Sequence, residues 1–167
     1  MEPQKVSFIR VIDSNQGIIR SLCRAYYPSY EDQKDAFQDI VLQLWKSFDS
    51  FRGEAKISTW IYKVSLNTIL TKVRNEERKV FTESIDDSGV LFTHATADDN
   101  IEVLHIVMQC LKGLDKAIVI LYLEGYMNKE ISQILNITAT NVSTRLNRVK
   151  GELKAKFKSQ PYELRKP

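Results

Sequence analysis

The sequence is poor in cysteine, histidine, glycine and proline, with two, two, six and four in 167 residues. Cys23 and Cys110 are too few for the disulfide framework of a secreted protein and have no partner at metal-ligand spacing, so we expect two small buried side chains. His94 and His105 lie eleven residues apart without flanking carboxylates. We therefore predict no metal ion, no cofactor and no catalytic residue.

Long apolar runs are also missing. No stretch approaches the ~18 to 20 apolar residues that cross a bilayer, and residues 1–10 lack a basic segment followed by a long apolar one. We expect no direct membrane insertion and a cytoplasmic location. An enzyme acting on a small-molecule substrate is the least favoured class, because no acid–base pair, nucleophile constellation or phosphate loop is present.

What is present is helical periodicity. Apolar residues recur at spacings of three and four, which predicts an all-α fold with helices at 6–27, 30–48, 58–79, 100–112, 115–125, 128–135 and 138–157. Residues 80–99 combine Gly89 with several acids, as a linker does. The prediction is two small helical domains, 1–79 with three helices and 100–167 with four, joined by an acidic linker at 80–99.

Charge is unevenly distributed along the chain, although the net charge is only +3. From Thr138 onward, eight Lys or Arg residues accompany two Glu, whereas residues 80–111 contain six acids and no Lys or Arg. This pattern suggests a polyanion contact at the C-terminal end and a cation-rich contact in the middle. An ordinary solvated surface explains the charges equally well.

A helix-turn-helix motif is predicted at 128–157. Asn128 is expected to cap a short helix, Asn136 to make the turn, and Thr138 to cap the second helix. That helix has an apolar stripe: Val142, Leu146, Val149, Leu153 and Phe157. Its opposite side presents polar groups, with Ser143 and Arg145 on the flanks: Thr140, Asn141, Thr144, Asn147 and Arg148. Such a face suits the major groove of DNA, although an amphipathic bundle helix is the alternative.

The second predicted helix also has two unlike faces. One carries an apolar stripe expected in the core: Phe37, Ile40, Val41, Leu44, Trp45 and Phe48. The other sets an outward Leu42 among polar side chains: Asp32, Asp35, Asp39, Gln43 and Lys46. This face could meet a basic helical partner, and a merely solvated surface remains open.

The third predicted helix is expected to bury five residues: Tyr62, Leu66, Ile69, Leu70 and Val73. The opposite side resembles a reader of single-stranded nucleic acid: Trp60, Lys63, Val64, Asn67, Thr71 and Arg74. In the preceding loop, Gly53 permits close backbone approach, and Arg52 and Lys56 supply charge. Trp60 either stacks on a base or packs beneath this loop.

These residues carry a resemblance to a known family. Residues 32–79 resemble region 2 of the sigma-70 family, in its extracytoplasmic-function (ECF) branch, through FRGEA at 51–55, TW at 59–60 and Asn67. Residues 111–154 resemble region 4 of that branch. The resemblance implies a sigma factor that binds core RNA polymerase, directs it to promoter DNA for transcription initiation, and is controlled by an anti-sigma factor.

The resemblance and the exposed helix faces together indicate which residues act. Docking on core polymerase would use Asp35, Gln38, Asp39, Leu42 and Gln43. Recognition and melting of the minus-ten element would use Arg52, Gly53, Lys56, Ser58, Trp60, Lys63, Asn67 and Arg74. Recognition of the minus-thirty-five element would use Thr138, Thr140, Asn141, Ser143, Thr144, Arg145 and Arg148. Ser143 and the pair Thr140-Asn141 depart from the residues common in the family, so no promoter sequence is carried over.

Two other classes stay open. A stand-alone helix-turn-helix regulator would bind duplex DNA without polymerase, usually as a dimer, but no sustained heptad or spare apolar helix is available to pair subunits. A helical adaptor with no DNA role would leave the exposed polar face of the last helix unexplained.

Overall fold

The computed structural model describes residues 2–80 and 107–158, with side chains from 7 to 78 and from 107 to 155. All regular structure within these residues is helical, and the chain divides into two compact units, Met1–Asp99 and Asn100–Pro167. The predicted all-α class with two helical domains is confirmed. The predicted linker at 80–99, apart from Val80, lies outside the described residues, as do His94, His105 and helix positions 100–106.

Three α-helices and one short 3-10 helix form the described part of the first unit: α1 (Glu2–Tyr26), α2 (Tyr30–Ser47), the 3-10 helix (Phe48–Ser50) and α3 (Ile57–Val80). Each α-helix packs on the other two. Helix α2 begins at a defined residue because Ser29 Oγ accepts a hydrogen bond from the Asp32 N–H at 3.0 Å. The core consists of fully buried side chains, among them Ile19, Leu22, Ile40, Leu44, Ile61, Leu66 and Ile69.

Two predicted stripes differ in part from the observed core. Trp45 was expected inside but is 42% exposed, although Phe8 of α1 packs against it in a T-shaped arrangement with ring centroids 5.0 Å apart. In α3, Ile61 and Ser65 are fully buried although neither was predicted to be, since α3 packs on both α1 and α2 and buries a broad face. Five residues of the predicted stripes are half-buried: Phe37, Val41, Phe48, Leu70 and Val73.

The two cysteines have different environments. Cys23 is buried as predicted, and desolvation raises the pKa of its thiol from 9.0 to about 11. Cys110 is exposed, so the prediction of a buried side chain was wrong there. It lies in the helical stretch 107–110, and the neighbouring Leu111 takes the buried position instead.

The described part of the second unit continues with α4 (Gly113–Leu123), α5 (Asn128–Leu135) and α6 (Ala139–Lys158), and α6 packs on both of the others. Helix α4 was predicted at 115–125 but begins and ends two residues earlier. It ends there because Gly125 adopts the left-handed conformation, with φ of 87°. The Gly125 and Tyr126 N–H groups then donate to the carbonyls of Tyr122 and Leu121, both at 3.1 Å, in a Schellman motif.

None of the helices in the described ranges is long and apolar enough to span a membrane.

Candidate functional site

The outward face of α2 keeps all five predicted docking residues on the surface: Asp35, Gln38, Asp39, Leu42 and Gln43. Leu42 is 49% exposed, and its exposure gains weight because Trp45, one turn further along the helix, is 42% exposed as well. Asp39 is held by α3, because its Oδ2 accepts a hydrogen bond from Lys72 Nζ at 3.1 Å. An exposed pair of this kind contributes at most about 1 kcal/mol and leaves the carboxylate accessible to a partner.

An apolar groove of about 440 Å³ lies beside this polar face. Sequence reasoning missed it because two of its residues come from α1, which supplied no motif. Its walls combine α1 and α2: Phe8, Ile9, Phe37, Gln38, Val41, Leu42 and Trp45. No acid lines the groove itself, but Asp35 and Asp39 lie about one helical turn from its lining residues Gln38 and Leu42, and Arg20 of α1 stacks over Phe37 in its wall. Apolar area bordered by negative charge is the combination that accepts an amphipathic helix with basic flanks.

The loop before α3 and the outer side of α3 form a second candidate surface. Six of its predicted residues are exposed: Arg52, Gly53, Lys56, Lys63, Asn67 and Arg74. Ser58 and Trp60 are half-buried. Gly53 has φ of 74°, a left-handed conformation that favours glycine.

Trp60 packs beneath this loop. Its ring centroid lies 5.2 Å from that of Phe51 and 6.1 Å from that of Phe48, which is the packing arrangement considered from the sequence. The aromatic rings pack beneath the loop, which exposes two cations, Arg52 and Lys56, and the acid Glu54. Asn67 is exposed in the middle of α3.

The third candidate surface is the helix-turn-helix of the second unit. Asn136 makes the turn in the left-handed conformation, with φ of 54° and ψ of 47°. Thr138 caps α6 as predicted, since its Oγ1 accepts a hydrogen bond from the Asn141 N–H at 3.1 Å. The prediction for Asn128 was wrong, because Met127 is the cap residue and its N–H donates to Glu130 Oε2 at 2.7 Å. Asn128 instead donates to Ser143 Oγ at 2.9 Å and joins α5 to α6.

Helix α6 has a polar face and an apolar face, and three of the five residues of its predicted stripe are buried, whereas Leu153 is half-buried and the side chain of Phe157 lies outside the described residues. Val142, Leu146 and Val149 are buried against α4 and α5. Five of the predicted reading residues are exposed: Thr138, Thr140, Asn141, Thr144 and Arg148. The other two, Ser143 and Arg145, are half-buried. Asn147 is also exposed. A continuous row of hydrogen-bonding side chains along one helix is the chemistry that reads base edges in a major groove.

One residue of this surface was not found from the sequence. Asp115, in the first turn of α4, lies between the two arginines of α6. Its Oδ1 accepts a hydrogen bond from Arg145 Nη1 at 2.8 Å, and its Oδ2 accepts one from Arg148 Nη2 at 2.6 Å. The contacts join residues 30 and 33 positions apart, so no local pattern pointed to them.

Two further observations concern the ionisable side chains of the described residues. Within residues 7–78 and 107–155, no three His, Cys, Asp or Glu side chains come together as metal ligands would. Burial raises the pKa of Tyr27 to about 12, which keeps its phenol neutral and unsuited to act as a base at ordinary pH.

Two family models match the chain, in order along it. The one described as Sigma-70 region 2 matches residues 11–79, and the one described as Sigma-70, region 4 matches residues 102–153. Among curated relatives, the ECF RNA polymerase sigma factor SigW of Bacillus subtilis (strain 168) is 25% identical over 167 residues, covering 91% of this chain and 89% of the relative. The ECF RNA polymerase sigma-E factor of Escherichia coli (strain K12) is 25% identical over 150 residues, covering 81% and 78%.

Solved structures share the fold. The sigma factor RpoE in complex with the anti-sigma factor NepR from Bartonella quintana superposes with a TM-score of 0.69 at 16% identity, covering 95% of this chain and 98% of that one. CnrH in complex with the cytosolic domain of CnrY superposes with a TM-score of 0.61 at 14% identity, covering 93% and 90%.

Proposed function

Because this chain belongs to the sigma-70 family of RNA polymerase sigma factors, we propose that each of its three exposed surfaces performs one step of promoter recognition. One observation carries the proposal. The two matched regions occur in order in one chain, and each exposes polar and charged side chains over a closed apolar core. The alternative of a stand-alone regulator is not favoured, since it gives no role to the first unit.

The outward face of α2 and its groove dock on core polymerase. Asp35 and Asp39 supply negative charge, while Leu42 and Gln38 border the apolar groove. A partner helix with basic residues flanking an apolar row would satisfy both features. The clamp helices of the largest polymerase subunit are the partner that the family resemblance implies.

The loop before α3 and the exposed side of α3 capture the minus-ten element as a single strand. Arg52, Lys56 and Lys63 provide cationic groups for phosphates, and Asn67 provides an amide for the edge of an unpaired base. Trp60 supports the loop through its packing on Phe51. Opening the duplex requires binding energy for the extruded base and no catalytic group, so we expect no enzymatic activity from the chain itself.

Helix α6 reads the minus-thirty-five element as duplex DNA. Its exposed amides, hydroxyls and arginines have the reach and donor–acceptor character of major-groove readers. The basic C-terminal segment adds attraction for phosphates, although residues beyond 158 lie outside the described structure. Like the two solved neighbours, which are complexes with an anti-sigma factor and with the cytosolic domain of CnrY, the chain is expected to bind an anti-sigma factor. Its place of action is the cytoplasm, with the polymerase.

Reconstitution tests the proposal. The chain is mixed with sigma-free core polymerase and a genomic promoter library, and the transcripts are sequenced. We expect transcripts that begin downstream of a shared upstream element and a shared minus-ten element, and none from core polymerase alone. Specific binding of duplex DNA by the isolated chain, with no transcripts from the mixture, would instead support the stand-alone regulator.

A further inference from the structure

A single carboxylate connects the two arginines of the reading helix. Asp115 of α4 gives one oxygen to Arg145, at 2.8 Å, and the other to Arg148, at 2.6 Å. Its side chain is only 23% exposed and that of Arg145 is 32% exposed, so the charge-assisted hydrogen bond between them is better shielded from water than a typical surface pair, whereas Arg148 is 52% exposed. Asp115 thus ties the start of α4 to the middle of α6.

The network continues along α6. Arg145 also donates from Nε to Asn141 Oδ1 at 2.8 Å, so its guanidinium is fixed by two acceptors. Two of its five N–H groups are engaged, and three remain for DNA. Arg148 has a weaker second partner in Glu152, with Nε and Oε1 3.8 Å apart.

We propose that Asp115 is a positioning residue that makes α6 selective for a base sequence. The inference rests on the proposed function of α6 as the reader of duplex DNA. A guanidinium that is already oriented loses less side-chain freedom when it meets a base edge, which favours the bidentate contacts that carry sequence information. Asp115 also neutralises one of the two positive charges, which weakens contacts with phosphates of any sequence.

The test compares three variants with matched changes. Asp115→Asn preserves the shape of the side chain and removes its charge, whereas Asp115→Glu preserves the charge and lengthens the side chain. Glu152→Gln is the control, because it removes one negative charge beside Arg148 without touching Arg145. Each is assembled with core polymerase, and upstream duplexes are selected from a library randomised around the minus-thirty-five position. Thermal unfolding establishes that each variant is folded.

For Asp115→Asn, the ratio of affinities for the selected and an unrelated duplex should fall at least about fivefold, the lower end of what one bidentate base contact contributes. Affinity for the unrelated duplex should stay the same or rise, and its salt dependence should steepen by up to about 0.9 in log–log slope. Asp115→Glu should keep the base preference better than Asp115→Asn, and Glu152→Gln should resemble the wild type.

Three results would overturn the inference. The first is an unchanged base preference and salt slope in Asp115→Asn. The second is a loss of base preference in Glu152→Gln equal to that in Asp115→Asn. The third is better retention of the base preference by Asp115→Asn than by Asp115→Glu, which indicates a role of the side chain's shape alone. All three apply when the wild-type holoenzyme selects an upstream sequence. If the wild type selects none, the assignment of α6 as the reader fails and takes the Asp115 inference with it.

Discussion

Leu42 and Leu44 provide a matched pair on one helix. They are two residues apart on α2 and have the same side chain, yet Leu42 is 49% exposed and Leu44 is 0% exposed. Truncating each to alanine removes the same atoms from opposite environments. If Leu42 faces outward to bind polymerase, the two substitutions should affect different measurements.

The expected magnitudes follow from burial. Leu44→Ala removes a fully buried side chain and should cost about 2–5 kcal/mol of unfolding free energy. In a domain of this size, that corresponds to a fall in Tm of at least about 8 °C. Leu42 is already half in contact with protein, and complete burial of a leucine is worth about 1.5–3 kcal/mol. Its truncation should cost up to about 1 kcal/mol in stability and about 1 kcal/mol in docking, or roughly fivefold in Kd.

Two assays separate these effects. Circular dichroism gives the Tm of each variant, and titration of fluorescently labelled chain with sigma-free core polymerase, well below both Tm values, gives the Kd. Leu42→Ala should weaken binding with the smaller loss of Tm, at most about 4–8 °C by the same conversion, whereas Leu44→Ala should lower Tm further and leave the Kd of the folded chain nearly unchanged. Comparable losses of Tm in both variants, or an unaltered Kd in Leu42→Ala, would refute the assignment of the α2 face as the docking surface.

Three further predictions concern the other surfaces and the core. Arg148→Ala should weaken binding of the selected upstream duplex by about 1–3 kcal/mol in a gel-shift titration, and Thr144→Ala should alter the base preference of the protein. If neither substitution changes promoter-specific transcription, α6 is not the reader. Asn67→Ala should leave the unfolding free energy unchanged or raise it by up to about 0.7 kcal/mol through better helix propensity, yet reduce the permanganate reactivity of minus-ten thymines. Normal promoter opening on every minus-ten variant would remove Asn67 from the site. At pH 8 a thiol reagent should modify Cys110 and spare Cys23, and equal labelling of both in the native chain would contradict the burial of Cys23. Because the pKa of Cys23 is raised in the folded chain, its thiol ionises first in the unfolded chain, and the unfolding free energy should fall between about pH 9 and 11.

The sequence by itself determined the type of each element and most of its faces. The spacing of Val142, Leu146 and Val149 defines a stripe whatever packs against it, because the angle between successive residues is a property of the helix alone. The cap by Thr138 and the turn at Asn136 are local in the same sense, since the groups that they satisfy lie within a few residues.

Only the tertiary structure decided which faces are covered and which distant charges meet. Trp45 continues the apolar stripe of α2 but stays partly exposed, because its cover depends on where α1 runs. The pairing of Asp39 with Lys72, and of Asp115 with two arginines, joins residues 30 or more positions apart. A helical period records the direction of a side chain around its own axis and contains no information about the neighbouring helix, so such contacts follow from packing alone.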